Sequence, residues 1–183
     1  GISRYRFKGR GALSYIVLTT QVLPGSLLMI PLYIIMSNLG LLNTKIGLML
    51  AYVTFTVPFC TWMMYGYFKS ISTGLDEAAR VDGSSAFNTF LKIILPIALP
   101  GLVATIIYAF LQNWNEYMFA SVLMSADEKK TITYAISTMA DAYKIQWNYL
   151  MCAAMISSVP TLTVFVVMQK YLIAGMTAGA VKE

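Results

Sequence analysis

The sequence predicts an all-α membrane protein, a polytopic bundle of transmembrane helices with one charged loop outside the bilayer. Composition is the first observation behind this. Apolar residues make up 58% of the 183, charged residues only 11%, and mean hydropathy is +0.67, far from the balance of a soluble domain. The second is segregation. Gly11–Thr44, Ile46–Phe68 and Ile145–Gln169 contain no charged residue, and Ile93–Ala126 contains only Glu116. The third is the interval 69–95, where Lys69, Asp76, Glu77, Arg80, Asp82 and Lys92 gather. Unpaired charge in hydrocarbon costs several kcal/mol, so this segment lies outside the bilayer.

Each apolar run exceeds the ~20 residues that cross ~30 Å of hydrocarbon at ~1.5 Å per residue. Four spans are predicted, at about 12–36, 46–68, 97–123 and 146–169. Placing residues 1–10 in the cytoplasm puts Arg4, Arg6, Lys8, Arg10, Lys69, Arg80, Lys92, Lys170 and Lys182 inside. Lys45, Lys129, Lys130 and Lys144 then lie outside. By the positive-inside rule, both chain ends and the 69–95 loop are cytoplasmic. The same distribution accounts for the net charge of +5. It argues against nucleic acid as a partner, because the basic residues mark helix ends and form no continuous patch.

The opening GISRYRFKGR has neither an initiating Met nor a signal-peptide pattern, and reads as a link between two spans of something longer. Within the spans, Pro24, Pro31, Pro58 and Pro160 are tolerated where neighbours re-satisfy the backbone, and kinks help to build a cavity. Thr19, Thr20, Ser157 and Thr161 are expected to bond their own helix backbone. Cys60 and Cys152 lie inside apolar runs as small packed side chains, and the twelve Met residues read as packing. The chain has no His, which removes the usual imidazole base and the commonest metal ligand.

In the charged loop, Thr73-Gly-Leu-Asp76 has the form of a capping box, predicting a helix that starts near Gly74. Gly83 supplies the left-handed stop that helices favour. Leu75, Ala78, Ala79 and Asp82 share one face, and the small alanines admit close approach of another backbone. A second short helix is expected from Ser85, with Phe87, Phe90, Leu91 and Ile94 on one face, ending before Pro96. An ordinary interfacial amphipathic hairpin would carry many of these features too.

In the third span, Thr105, Tyr108, Gln112 and Glu116 fall at i, i+3, i+7 and i+11, with Asn115 alongside. Polar groups in hydrocarbon are costly unless they face other helices or water, so this stripe is a candidate path lining. Hydroxyl, amide and carboxylate groups beside Trp114 and Tyr117 suit a sugar. Glue between helices plus an interfacial aromatic belt is the plainer alternative. No GxxxxGK[ST] phosphate cradle occurs, so any ATP is handled by a partner and none is bound directly.

The spacing Glu77-Ala78-Ala79, Gly83, then Ile93-x-Leu95-Pro96 resembles the EAA coupling loop of membrane subunits of binding-protein-dependent ABC importers. Trp114-Asn115-Glu116-Tyr117 resembles the WNE(F/Y) segment of carbohydrate-type permeases. The ending from Gln169-Lys170-Tyr171 through Gly175-Met-Thr-Ala-Gly179-Ala-Val-Lys182 is similar to their QRY…GLTAGAVKG tail, here expected as a flexible segment past the membrane edge. The resemblance covers essentially the whole chain and points to the second permease subunit of the maltose-type subfamily. It implies a sugar-importer permease in a bacterial or archaeal cell membrane, with its C-terminus cytoplasmic, and not an enzyme. The implied partners are a cytoplasmic ATP-binding subunit dimer, a second permease subunit, an extracellular or periplasmic sugar-binding protein, and membrane lipid. It also implies that Glu77, Ala78, Ala79 and Gly83 dock on the ATPase, and that residues from about Ser125 to Lys144 face the binding protein. Such permeases usually carry six spans, so two further spans are expected before Gly1. A secondary, ion-coupled transporter of small polar solutes is the alternative, with Glu116 as its sole ionisable candidate within the spans. A membrane-embedded enzyme ranks third, without His or paired carboxylates in the membrane.

Overall fold

A computed structural model describes residues 2–5, 7–22, 24–139 and 145–180, with side chains as far as Gln169. The basic residues Arg6, Lys144 and Lys182 lie outside the described residues, as do the side chains of the 170–180 stretch. Among the described residues every regular element is helical: α1 Arg10–Val22, α2 Gly25–Asn38, α3 Lys45–Ser70, α4 Gly74–Val81, α5 Ala86–Thr89, α6 Leu95–Ile97, α7 Leu99–Trp114, α8 Met118–Leu123, α9 Ile132–Thr138 and α10 Trp147–Ala180. A π-turn, Phe90–Ile94, joins α5 to α6, and a 3₁₀ turn spans Asp127–Lys129.

Side-chain caps fix several starts. Thr44 Oγ1 accepts from Gly47 N at 3.0 Å at the head of α3, and Ser85 Oγ accepts from Asn88 N at 3.3 Å before α5. Thr131 Oγ1 does the same for Tyr134 N at 3.3 Å before α9. Each satisfies one amide that a helix start leaves open. As expected, Thr19 and Thr20 hydroxyls donate to their own helix, at Tyr15 O and Val17 O, both 2.8 Å.

Only α3 and α10 are single helices long and apolar enough to cross a membrane among the described residues. The intervals 12–36 and 97–123 are not single helices. The first holds two helices, α1 ending at Val22 and α2 starting at Gly25 with Pro24 as its N-cap. The second holds α7 and α8, broken after Trp114, and α7 is itself preceded by a continuous helix over Ala86–Ile97 that meets it at a bend of 72°. If each bent pair counts as one span, the total reaches four. At the far end, α10 is helical through Ala180, so the backbone around Gly175 and Gly179 is helix and not the flexible tail that was expected.

Helix α7 packs between α3 and α10, while α1 also lies on α3. Where α7 crosses α3, Gly101 allows close contact: a Cβ there would fall 2.3 Å from Tyr67 Cγ. Two buried clusters bracket the α3/α7 pair. One joins Met36, Leu48, Ala51, Phe119, Ala120, Leu123 and Met124, and the other joins Ile71, Ile94 and Ala98 with Tyr67, Phe68 and Phe90 against them. Beside the first cluster, Asn43 adopts φ 57° and its side chain accepts from Ser125 N at 2.6 Å and Ala126 N at 3.0 Å. This stitches the α2–α3 turn to the segment after α8.

Candidate functional site

Two regions hold the residues singled out by the sequence. The first is the hairpin after α3. Helix α4 ends in a Schellman turn: Gly83 N donates to Arg80 O at 3.0 Å, Ser84 N donates to Ala79 O at 2.9 Å, and Gly83 has φ +77°. Two open carbonyls are thereby satisfied, and an L side chain at position 83 would be strained. Glu77 and Ala78 are exposed, as are Leu75 and Val81, the last at 88%. Ala79 is buried at 3% exposure. Its methyl group therefore packs inside the fold and does not share an outward face with Ala78.

The start of α4 departs from a capping box. Thr73 adopts helical φ and ψ and its side chain makes no capping bond; Ser72 Oγ instead accepts from Gly74 N at 3.2 Å. Asp76 does not reach back to its own helix start because its carboxylate is held by Arg4, with Arg4 Nε donating to Asp76 Oδ2 at 2.9 Å and Nη2 donating to the same oxygen. A charge-assisted bond to a guanidinium outcompetes one to a neutral amide.

After α5 the chain opens into the π-turn, where Leu95 N donates to Phe90 O. The wider turn rotates the apolar positions apart. Phe90 and Ile94 face inward, with Phe90 6.2 Å from the Phe68 ring and Ile94 1% exposed, whereas Phe87 and Leu91 are 70% and 42% exposed. The four do not share one face. Nor does the helix end before Pro96, which sits in the first turn of α6 where a missing N–H is tolerated. The bend falls at Ala98.

The second region is a cavity of about 210 Å³ among α2, α3, α7 and α8, lined by Gly25, Tyr52, Phe55, Thr56, Tyr108, Gln112, Asn113, Glu116 and Phe119. Tyr108, Gln112 and Glu116 meet here, but not as one helical stripe. Helix α7 ends at Trp114, and Asn115 N closes the last turn on Leu111 O at 3.1 Å. Glu116 lies past the break and turns its carboxylate onto the next helix. Oε1 accepts from Phe119 N at 2.7 Å and Oε2 from Ala120 N at 3.1 Å, which caps α8.

Thr105 and Asn115 are not in the cavity. Thr105 is 7% exposed and donates to Gly101 O at 2.8 Å, while the exposed Asn115 amide donates to Leu111 O at 2.8 Å. Trp114 and Tyr117 do not cover the cavity either. Trp114 Nε1 donates to Ser157 O at 3.1 Å and its carbonyl accepts from Thr133, tying α7 to α10 and α9. Tyr117 packs edge-on to Tyr134, centroids 6.0 Å apart. The aromatic walls are instead Phe55 and Phe119, 4.5 Å apart, and Tyr108, which stacks on Phe59 at 4.1 Å.

Sequence reasoning missed Tyr52, Thr56 and Asn113. Thr56 Oγ1 donates to Asn113 Oδ1 at 3.1 Å across the α3/α7 interface. The Tyr52 hydroxyl is buried with no hydrogen-bond partner among the described residues. Tyr52 and Thr56 are four apart with Phe55 between, a polar–aromatic patch on one helix face that was legible as such. Beyond α8, Lys130 pairs with Asp127 at 2.6 Å, and this hydrogen bond with the adjacent positive charge holds the Asp127 carboxyl below its usual range.

This arrangement can be set beside known proteins. Binding-protein-dependent transport system inner membrane components match residues 1–178. A probable ABC transporter permease protein, YurM of Bacillus subtilis, is 37% identical over 182 residues, covering 100% of this chain and 61% of the relative. The trehalose/maltose transport system permease protein MalG of Thermococcus litoralis is 35% identical over 182 residues, covering 99% and 66%. A chain in the crystal structure of a bacterial ABC transporter involved in import of the acidic polysaccharide alginate aligns with a TM-score of 0.77 at 27% identity, over 93% of this chain and 64% of that one. The chain thus spans 61% of the length of the Bacillus relative. With the family match running through nearly all of its residues, and a fold shared with a chain of a bacterial ABC transporter, the chain belongs to the family of binding-protein-dependent transport system inner membrane components.

Proposed function

We propose that this chain is a membrane subunit of an ATP-driven sugar importer. It forms a translocation path with a second permease subunit and receives sugar from an extracellular or periplasmic binding protein. A cytoplasmic ATP-binding subunit dimer docks on the α4 hairpin through Glu77, Ala78 and the turn at Gly83, with Ala79 supporting the hairpin from within. ATP resides on that partner, and this chain binds no cofactor itself. The C-terminus is cytoplasmic.

The observation that carries this reading is the hairpin. A short helix closed by a Schellman turn presents the Glu77 carboxylate and the small Ala78 side chain at the end of a membrane-length helix, as a rigid coupling element requires. The cavity supports a sugar as cargo, since hydroxyl, amide and carboxylate groups stand beside aromatic rings within it. Relatives named for trehalose/maltose and alginate transport agree in chemical class.

The test is uptake of radiolabelled maltose and trehalose by proteoliposomes holding the full-length permease, its ATPase and its binding protein. Uptake is expected to require ATP, and Gly83→Pro is expected to abolish it with loss of ATPase co-purification, because proline lacks the N–H and cannot adopt positive φ. Uptake that ignores ATP but collapses with an ionophore would replace this reading with ion-coupled transport.

A further inference from the structure

Arg4 lies six residues before α1, yet its side chain reaches the far end of α3. All five of its N–H donors are used. Nη1 donates to Phe68 O and Ile71 O, each at 3.1 Å, Nη2 to Ser72 O at 2.9 Å, and Nε and Nη2 both to Asp76 Oδ2. The side chain is 7% exposed, and that of Asp76 20%.

The acceptors belong to two helices. Phe68 O is in the last turn of α3, where open carbonyls concentrate negative potential and a cation is favoured. Asp76 is in the first turn of α4, where a carboxylate is favoured for the converse reason. Ile71 and Ser72 form the connection, and Ile71 is extended at φ −77°, ψ 128°. No helical hydrogen bond crosses that connection, so beside the apolar packing of Ile71 the Arg4 guanidinium is the polar link that sets the angle of the α3–α4 junction. The guanidinium converts it into a fixed corner. Because Arg4 sits on the segment leading into α1, and α1 packs along α3, the corner is braced from a third element.

We infer that Arg4 is the positioning residue that makes the coupling hairpin move as one body with α3 and the link to α1. This rests on the coupling role proposed for the hairpin. Lysine replaces it only in part, since an ammonium keeps the charge but has three donors on a flexible stem and cannot span all the acceptors placed around a planar fork. Asp76→Asn keeps an acceptor but removes one charge, so it weakens the brace without emptying the corner.

The experiment has two independent readouts on the full-length permease assembled with its ATPase and binding protein. The first is hydrogen exchange at the backbone amides of residues 73–83, which reads the brace independently of transport. Arg4→Ala is expected to speed exchange there by about tenfold or more, as loss of charge-assisted bonds predicts, with Arg4→Lys and Asp76→Asn in between and amides of α10 unchanged. The second is the coupling ratio, sugar molecules imported per ATP hydrolysed. It is expected to fall several-fold in Arg4→Ala while the KM for ATP stays constant, which general misfolding would not produce. Unchanged exchange at 73–83 would overturn the brace. Faster exchange with an unchanged coupling ratio would overturn the transmission role assigned to Arg4. A variant that still imports sugar with ATP absent would count against the ATP-driven reading itself.

Discussion

Gly101 and Tyr52 make opposite demands on their surroundings. At Gly101 there is no space: Tyr67 Cγ and Cδ2 would lie 2.3 and 2.4 Å from an added Cβ, and an aromatic ring held in a helix interface cannot step aside. Gly101→Ala is expected to cost about 1–3 kcal/mol through overpacking, read as a lower melting temperature in detergent, with recovery when Tyr67 is cut to Leu. At Tyr52 there is an excess polar atom. A buried hydroxyl without a partner carries a desolvation penalty, so Tyr52→Phe should leave stability unchanged or slightly raised. If the hydroxyl meets cargo in the cavity, the same variant lowers sugar uptake. Normal uptake with a normal melting temperature would remove this cavity from the path.

Among the elements, α8 depends most on a single side chain. Its six residues begin at Met118, and the carboxylate of Glu116 accepts from two of its first amides. Glu116→Leu should release both and loosen Phe119, Ala120 and Leu123 from their buried cluster, at a cost of about 0.5–2 kcal/mol, whereas Glu116→Gln keeps one acceptor and about half of that loss. Thermal melting of the two variants decides it. A transport defect at Glu116 is therefore ambiguous in a way that one at Gln112 is not. This double role was not legible from spacing. The i, i+3, i+7, i+11 pattern assumed that one helix ran through Asn115, and only the folded chain shows the break. The π-turn was hidden for a similar reason, because a one-residue widening leaves no compositional mark and still separates Phe87 and Leu91 from Phe90 and Ile94. Local chemistry, by contrast, was readable. Gly83 terminates α4 because positive φ selects glycine, and the Schellman bonds follow from that alone. The capping box lost its Asp76 half to a long-range competitor, Arg4, seventy-two residues away in sequence, while Thr73 itself adopts helical φ and ψ and makes no side-chain cap.

Across the whole molecule the unusual property is how little of the apolar surface is covered. Among the described residues of α10 none is buried, and Val159, Leu162 and Phe165 are 58%, 60% and 52% exposed. In water this would be an aggregation surface; in a bilayer it is the expected state of a helix that is apolar all round. Val159→Lys, near the middle of the Trp147–Gln169 stretch, is expected to raise the insertion free energy of that segment by about 2.5–3.5 kcal/mol. The check is the fraction of protein retained in membranes after alkaline extraction, which should fall. The length of α3, and that of α10 as far as Gln169, were plain from the runs of uncharged residues, since a charge-free stretch of that size marks a membrane span; the continuation of α10 past Lys170 was not. The bends were not plain, because proline marks where a helix can turn without saying whether it does: Pro24 precedes a helix start, while Pro31, Pro58 and Pro160 lie within continuous helices.

The angle at Ala98 has a mechanical meaning. Ala86–Ile97 and α7 meet at 72°, close to a right angle. A displacement delivered along the first helix would reach the second mostly crosswise, favouring a tilt of α7 over a slide along its own axis. Tyr108 and Gln112, which line the cavity from α7, would move with such a tilt, and the width of the cavity with them.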